Sequence, residues 1–558
     1  MSVEELDALL GDPRDAENPV GYAAVLAADE RQEMLADGER LLDGYAMNAE
    51  FVPSAYGGRL TRIDRLAEIL RAVWRRDPSL GLGYGFSSFI ASVNIWTAGD
   101  EGQCRNAAKL LLSGGRIAAA FHELAHGTDF AHAEFTARSV AGGWSVSGRK
   151  DVVTNLRRAE AMVLFARTGA AAGSRSHSQF FVRRDDLPGG RMTDTARFAS
   201  SGMRGVALGG AVFVDCPIPG DSLIGKLGEG MEIALRAYQI TRTVFPSMIV
   251  GPLDTALRLV VEYALEHRLY GGTVADIPYV RAVIARAHAD LLAVDAFSAV
   301  AVRALHLVPE AMAVYAPAAK YLGSRVVLDA FEDLRTVLGA QSYLRQGPYA
   351  MFQKLARDLA PATFAHVSRA ACLVMLLPQL PRLARRSWLV DPPAPGQLFD
   401  LGGELPALRA ESLTAGMPRG DAVLGALADI AEHARDGDPA GRFAVRFRDD
   451  LRALRDKCAT LSASDITIDA SPAAFELADR YTVTLAAASV LGVWRKNPDS
   501  LSHAAFLAIL DRLNGRLGGP SVLTAAERED VEHHMFDEAV ARHGDRVLFD
   551  LTARLIPG

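Results

Sequence analysis

The chain is 558 residues long, with 49% apolar and 23% charged side chains. That is the makeup of a soluble globular protein of about three or four domains, and it excludes a disordered tail, a collagen-like rod and a small disulfide scaffold. Sixty Lys and Arg against 67 Asp and Glu leave a net charge of −7. With no basic stripe to displace phosphate counterions, nucleic acid is not an expected partner.

The four cysteines (Cys104, Cys216, Cys372, Cys458) are scattered without a CxxC pair and read as reduced thiols. The acidic N-terminus lacks a basic-then-apolar leader, and no apolar run reads as long as the roughly 18 residues of a membrane span. The expectation is a cytoplasmic protein with no integral membrane segment.

In chain order, residues 1–115 carry the three-to-four-residue apolar period of helices, as in TRIDRLAEILRAVWRRD, and form an N-terminal helical domain. From 116 to 227 short β-branched and aromatic runs alternate with Gly, Ser and Asn, the pattern of a β domain. The helical period returns over 228–388, a helical-bundle domain. A Pro-rich linker follows at 389–399, containing DPPAPGQ. A C-terminal helical extension runs over 400–558, with a second break near 435–440.

One regular expression stands out. His122-Glu123-Leu124-Ala125-His126 is an HExxH, and His132 supplies a third histidine at the offset of a metzincin-like zinc hydrolase. On a helix, two histidines four apart would share one face and could bind Zn²⁺. Two features argue against it. Asp129 occupies the place of the Gly such a site needs to turn the chain, and Gly127-Thr128-Asp129 leads straight into strand-like sequence. The expectation is no metal site, with these side chains lining a loop around another ligand.

Other motifs form an ordered set. Val52-Pro53-Ser54-Ala55-Tyr56-Gly57-Gly58, Arg76-Asp77-Pro78-Ser79, Gly99-Asp100-Glu101-Gly102-Gln103 and Leu111-Leu112-Ser113-Gly114 come first. Then follow His122 to Asp129, Lys150-Asp151-Val152-Val153-Thr154-Asn155, Gly202-Met203-Arg204-Gly205 and Pro219-Gly220-Asp221-Ser222-Leu223-Ile224-Gly225. Thr241-Arg242, Leu265-Glu266-His267-Arg268-Leu269-Tyr270-Gly271, Leu338-Gly339-Ala340 and Arg357-Asp358 complete it. Over the first 385 residues this order resembles the acyl-CoA dehydrogenase flavoprotein family. The extension resembles that of very-long-chain acyl-CoA dehydrogenases and acyl-CoA oxidases.

The resemblance implies an α+β class and the acyl-CoA dehydrogenase fold: a helical domain, a β-barrel-like domain and a four-helix bundle, plus the extra C-terminal helical domain. It implies FAD as cofactor, contacted by Phe121, His122, Gly127, Thr128, Val152, Thr154, Arg268, Tyr270, Leu338, Gly339, Ala340 and Ser368. Thr128 stands where the family has a Ser on the cofactor's phosphates, and Val152 where it has a Trp. Thr154 would offer its hydroxyl to the flavin N5 edge. Arg268 and Tyr270 resemble the segment that reaches FAD from a neighbouring subunit. His126, Thr241 and Arg242 are implied substrate contacts.

The implied reaction is α,β-dehydrogenation of an acyl thioester, carried by coenzyme A or an acyl-carrier protein. The electron acceptor would be an electron-transfer flavoprotein or O₂. Here the chain departs from the family. The catalytic Glu falls at His366, and the alternative Glu position on the earlier helix is Thr241. A histidine has a suitable intrinsic pKa without the burial that tunes a carboxylate, so His366 is the candidate base. The departure leaves two other readings open: a flavin-dependent monooxygenase of the same fold, and a degenerate homologue that only binds acyl thioesters. The low polarity of Arg480 to Trp494 points to a helix buried against the core, and by the resemblance to a homodimer. The Ala- and Arg-rich composition suits a high-GC bacterial source, and the resemblance to family members that oxidise carrier-protein-bound acyl groups implies a setting in bacterial secondary metabolism.

Overall fold

The computed structural model describes residues 2–557 except 171–172, 391–393, 417–419 and 434–437. The chain divides into two compact units. One is drawn from Met1–Leu66, Asp77–Thr241 and Ala407–Ala415, the other from Ala67–Arg76, Arg242–Pro406 and Gly416–Gly558. Part of the expected linker (391–393) and of the expected break (434–437) lies outside the described residues. At the end of the expected linker, Leu398 and Phe399 are buried, because two apolar side chains gain more from the core than a solvated spacer would allow.

In the first unit, helices precede a sheet. Helix Glu101–Leu112 begins with a capping box: the Asp100 carboxylate accepts from Gln103 N at 2.8 Å, and the Gln103 side chain accepts from Asp100 N at 3.2 Å. Such a cap contributes about 1 kcal/mol. The Gln103 amide also donates to Asp221 O (2.8 Å) and Leu223 O (3.0 Å), tying the helix start to a turn far along the chain.

The main sheet has eight strands: β1 Ile117–Ala120, β2 Thr136–Val140, β3 Gly143–Thr154, β4 Ala161–Arg167, β5 His177–Arg183, β6 Met192–Asp194, β7 Leu208–Pro219 and β8 Leu223–Ile224. Their order is β6-β7-β3-β2-β4-β5-β8, with β1 parallel to β4. Phe135, Val146, Leu164, Phe180, Phe213 and Ile218 fill its core. Each buried aromatic or branched chain contributes about 1.5–3 kcal/mol.

The pairing of β3 with β7 slips between Lys150 and Val153. Asp151 and Val152 there oppose the single residue Gly210, a β-bulge. Val152 adopts φ +55°, an unfavourable conformation for a β-branched residue. A Cβ at Gly210 would lie 2.3 Å from Lys150 O, so glycine is what lets the two strands meet at the bulge.

The second unit is helical. It takes Gly230–Glu266 from Arg242 onward, with Pro278–Leu307, Met312–Leu338 and Arg369–Leu376. Gly323 allows close helix packing, since a Cβ there would stand 2.8 Å from Pro246 Cβ. Arg71 is buried between Asp295 and Asp550, and donates also to Ser247 Oγ at 2.6 Å. The extension contributes Ala422–Glu432, Pro439–Ala459, Pro472–Lys496, His503–Arg516 and Ala525–Gly544. Tyr481 to Val493 are buried without a break. At one end of that stretch, Tyr481 and Tyr315 hydroxyls and the Trp388 indole all donate to Asp421.

One described helix, Gly230–Glu266, is long and apolar enough to cross a membrane by length and composition. This corrects the expectation that no run reaches that threshold. Its most apolar stretch is 94% buried within the protein, the setting of a core helix, whose apolar character serves internal packing.

Candidate active-site residues

In the first unit the segment after β1 is a series of turns, not a helix. His126 N and Gly127 N both donate to Glu123 O, at 3.1 and 3.0 Å, and Asp129 N donates to His126 O at 2.9 Å. The HExxH histidines therefore lack the helical face that a zinc pair needs. Among the described residues no three His, Cys, Asp or Glu side chains gather as metal ligands.

Glu123 is fully engaged. Its carboxylate accepts from Glu134 N (2.7 Å), Phe135 N (3.1 Å) and Lys150 Nζ (2.7 Å). Lys150 has no exposed side-chain surface, donates to Phe121 O at 3.1 Å, and lies 4.9 Å from the Phe135 ring centre. Burial pushes the Lys150 ammonium down to about 8, against the pull of Glu123. Burial pushes Glu123 up, but the Lys150 charge outweighs it and holds the carboxyl below its usual range.

This pair fastens the turns to the bulge. Asp151 N also donates to His122 O at 3.0 Å. Phe121 and His122 are thus tied to Lys150 and Asp151, next to Val152 in the bulge. Phe121 is buried in an aromatic group with Phe165 (5.2 Å) and Tyr238 (5.6 Å). The His122 ring sits 5.4 Å from Phe130, its Nδ1 is 3.3 Å from Gly127 O, and burial lowers its pKa. His126 Nε2 lies 3.9 Å from Glu123 and 3.7 Å from Glu134. Gly127 has φ +56° and open space where a Cβ would stand, room for a ligand to approach the main chain. Thr128 and Thr154 are half-buried. Thr241 is fully buried, its hydroxyl 3.5 Å from Tyr238 O in the same helix.

In the second unit Arg242 is buried, with Nη1 3.2 Å from Met375 Sδ. Nearby, Lys320 is fully buried. Its Nζ donates to Ala362 O at 2.6 Å and lies 3.9 Å from the Phe245 ring centre. Burial lowers the Lys320 ammonium to about 8; the Cys372 thiol opposes that shift, and Arg242 and Arg369 add to it. The turn that Lys320 holds leads to His366, which is half-buried at φ +51°, and to Val367, buried at φ +81°. Two successive non-glycine residues in this region store about 1–2 kcal/mol each.

Asp358 is fully buried and accepts from Lys354 Nζ at 2.5 Å, a structural pair. Ser368 caps helix Arg369–Leu376 by accepting from Ala371 N at 3.1 Å, so its hydroxyl already serves the fold. Arg268 and Tyr270 lie on the hairpin Arg268–Leu269/Gly272–Thr273, with Tyr270 96% exposed. Leu338 is buried, whereas Gly339 (φ +52°) and Ala340 are exposed. The structure does not gather this hairpin and this turn with His366 into one described cluster. Sequence reasoning did not single out Glu123–Lys150 as a buried pair, nor Lys320. Lys150 lay within a quoted motif, but nothing in AAKYLGSRVV marks its lysine as buried.

Residues 228–366 match the family model for the acyl-CoA dehydrogenase C-terminal domain. The mitochondrial isovaleryl-CoA dehydrogenase of Oryza sativa subsp. japonica is 24% identical over 253 residues, 45% of this chain and 61% of that protein. The probable acyl-CoA dehydrogenase FadE25 of Mycobacterium tuberculosis is 25% identical over 334 residues, 59% of this chain and 84% of its own length. The isovaleryl-CoA and short-chain relatives are matched over only about three-fifths of their length. Among solved structures, an acyl-CoA dehydrogenase complexed with FAD from Bacillus anthracis superposes with a TM-score of 0.72 at 15% identity, covering 96% of this chain and 94% of that one. The prolyl acyl carrier protein oxidase AnaB gives a TM-score of 0.58 at 18% identity, covering 63% and 92%. The fold is that of the acyl-CoA dehydrogenases, with additional C-terminal helices.

Proposed function

We propose that this chain, whose residues 228–366 match the acyl-CoA dehydrogenase C-terminal domain model, is an FAD-dependent oxidoreductase acting on an acyl thioester, with His366 as the base. The observation that carries the reading is the strained turn at His366 and Val367, at the end of the matched segment. Strain of this kind persists where surrounding structure holds it, and it concentrates at functional sites. FAD is the family cofactor and, when bound, supplies the two-electron acceptor.

The residues present fit such a group. Gly127 leaves room at its main chain, Thr128 and Thr154 offer hydroxyls, and Arg268, Tyr270, Gly339 and Ala340 are exposed for contact. The Phe121 carbonyl accepts from Lys150 Nζ, which holds the start of this loop. His366 Nε2 or Nδ1 would take the proton from the carbon next to the thioester, while Arg242 would orient the substrate. Thr241 can hold no such proton, which leaves the histidine as the titratable group among the two base positions.

An exposed Tyr270 hairpin supports a homodimer that shares cofactor contacts. The thioester is carried by coenzyme A or a carrier protein, the acceptor is an electron-transfer flavoprotein or O₂, and the setting is cytoplasmic. The missing carboxylate at His366 and Thr241 also favours the monooxygenase reading, and one experiment separates the two. Protein loaded with FAD is mixed anaerobically with a panel of acyl-CoA and acyl-carrier-protein thioesters. Bleaching of the flavin by a thioester, lost in His366→Ala, supports dehydrogenation. Bleaching only by an external reductant, followed by O₂-dependent product, supports monooxygenation; FAD uptake with neither leaves a binding homologue.

A further inference from the structure

The second unit contains a cavity of about 640 Å³ that no part of the proposed reaction uses. It lies among helices Pro278–Leu307, Met312–Leu338, His503–Arg516 and Ala525–Gly544. Its size is that of a small-molecule site. Apolar side chains form much of the wall, among them Leu523, Val531 and Met535.

Asn514 lines this cavity and is fully buried. Its Nδ2 donates to Pro520 O at 2.7 Å, but among the described residues its Oδ1 meets no donor. A buried acceptor left without a donor costs about 1–3 kcal/mol, so it calls for a partner. Gly519 also lines the cavity, and a Cβ there would stand 2.8 Å from Asn514 Oδ1. A side chain there would crowd that oxygen, which is itself buried.

The charges in the wall are unequally engaged. Arg512 is bound to Asp290, and Arg516 donates to Asp329 at 2.8 Å. Asp511 accepts from Ser521 Oγ at 2.5 Å. Exposed Arg528 reaches Asp511 at 3.9 Å, and half-buried Arg286 lies 6.0 Å from the Tyr279 ring with no carboxylate in ion-pair range among the described residues. Arg286, together with the loosely paired Arg528, can therefore meet an incoming anion, and a guanidinium suits a carboxylate or phosphate. Glu532, half-buried in the same wall, opposes that charge.

We infer that this cavity is a binding site for an amphipathic organic anion, with its carboxylate or phosphate head on Arg286 and Arg528 and its apolar body on the alkyl wall. The inference is independent of the oxidoreductase reading.

The test is calorimetric titration of the full-length protein with two probes, 3-hydroxyoctanoate and octyl phosphate, which separate a carboxylate from a phosphate source. At least one should bind at millimolar affinity or better. Arg286→Gln should weaken it about tenfold or more, and Glu532→Gln should tighten it. Ala508→Phe, which fills the cavity, should abolish it, while His366→Ala leaves it unchanged. Melting temperatures establish that each variant is folded. Three results would overturn the inference: no binding of either probe, binding indifferent to Arg286 and Ala508, or weaker binding in Glu532→Gln.

Discussion

Lys150 in the first unit and Lys320 in the second are both fully buried, and the two are stabilised in different ways. Lys150 has a carboxylate, Glu123, and a carbonyl. Lys320 has a carbonyl and an aromatic face, with other cations as neighbours. Both ammonium groups are pushed to about 8 by burial. The first lysine is therefore one member of an obligate pair. The second is a charge whose removal should cost little, because desolvation already works against it. Position in the fold follows the same division. Lys150 fastens the turns after β1 to the β3 bulge, and Lys320 fastens the turn before His366.

The largest effect should come from splitting the pair. Glu123→Gln leaves Lys150 buried without its counter-charge and should lower stability by about 3–5 kcal/mol in denaturant unfolding. A loss below about 1 kcal/mol would mean the two lysines are alike.

A pH series is the next test. Both folded-state values lie below the ordinary 10.5 of lysine, so between pH about 8 and about 10.5 the unfolded chain binds more protons than the folded one. Stability contributed by these groups must rise with pH across that window, by up to about 3 kcal/mol per lysine. A fall across it would contradict the assignment.

Lys320→Met sharpens the contrast. It should stay within about 1 kcal/mol of the parent while flattening the alkaline rise, as thermal melts at pH 7 and 10 would show. The smallest effect concerns the turn itself. His366→Gly relieves a positive φ at the expense of chain entropy, and should change stability by less than about 1 kcal/mol while thioester oxidation disappears. A large destabilisation would make His366 a packing residue.

Much of the fold was legible because several motifs turn out to be structural ties. Gln103 caps its helix and also holds the Asp221–Leu223 turn. Tyr56 donates to Glu101 at 3.0 Å and stacks on Trp96, and Arg204 binds Asp29 at 2.6 Å. Such contacts need particular side chains at particular spacings, so they leave a written trace. The apolar helix Arg480 to Trp494 was equally plain, since a helix without a polar face has to be buried.

The candidate site was less legible. A buried lysine looks like any other lysine in a sequence, and its energetics depend on which carboxylate folds back to meet it. The strained turn at His366 and Val367 carries no glycine to advertise it. The bulge at Val152 shows only through Gly210, on another strand. Membrane-like hydropathy in Gly230–Glu266 misleads in the opposite direction, since an interior helix and a spanning helix share a composition.

The measurement that tests the central claim most directly is anaerobic absorbance between about 300 and 550 nm of the protein loaded with FAD, before and after acyl thioester is added. The account predicts that flavin bands are present and that a thioester bleaches them in the parent protein but not in His366→Ala. A protein that takes up no FAD, or one whose bleaching is unchanged by His366→Ala, would contradict it.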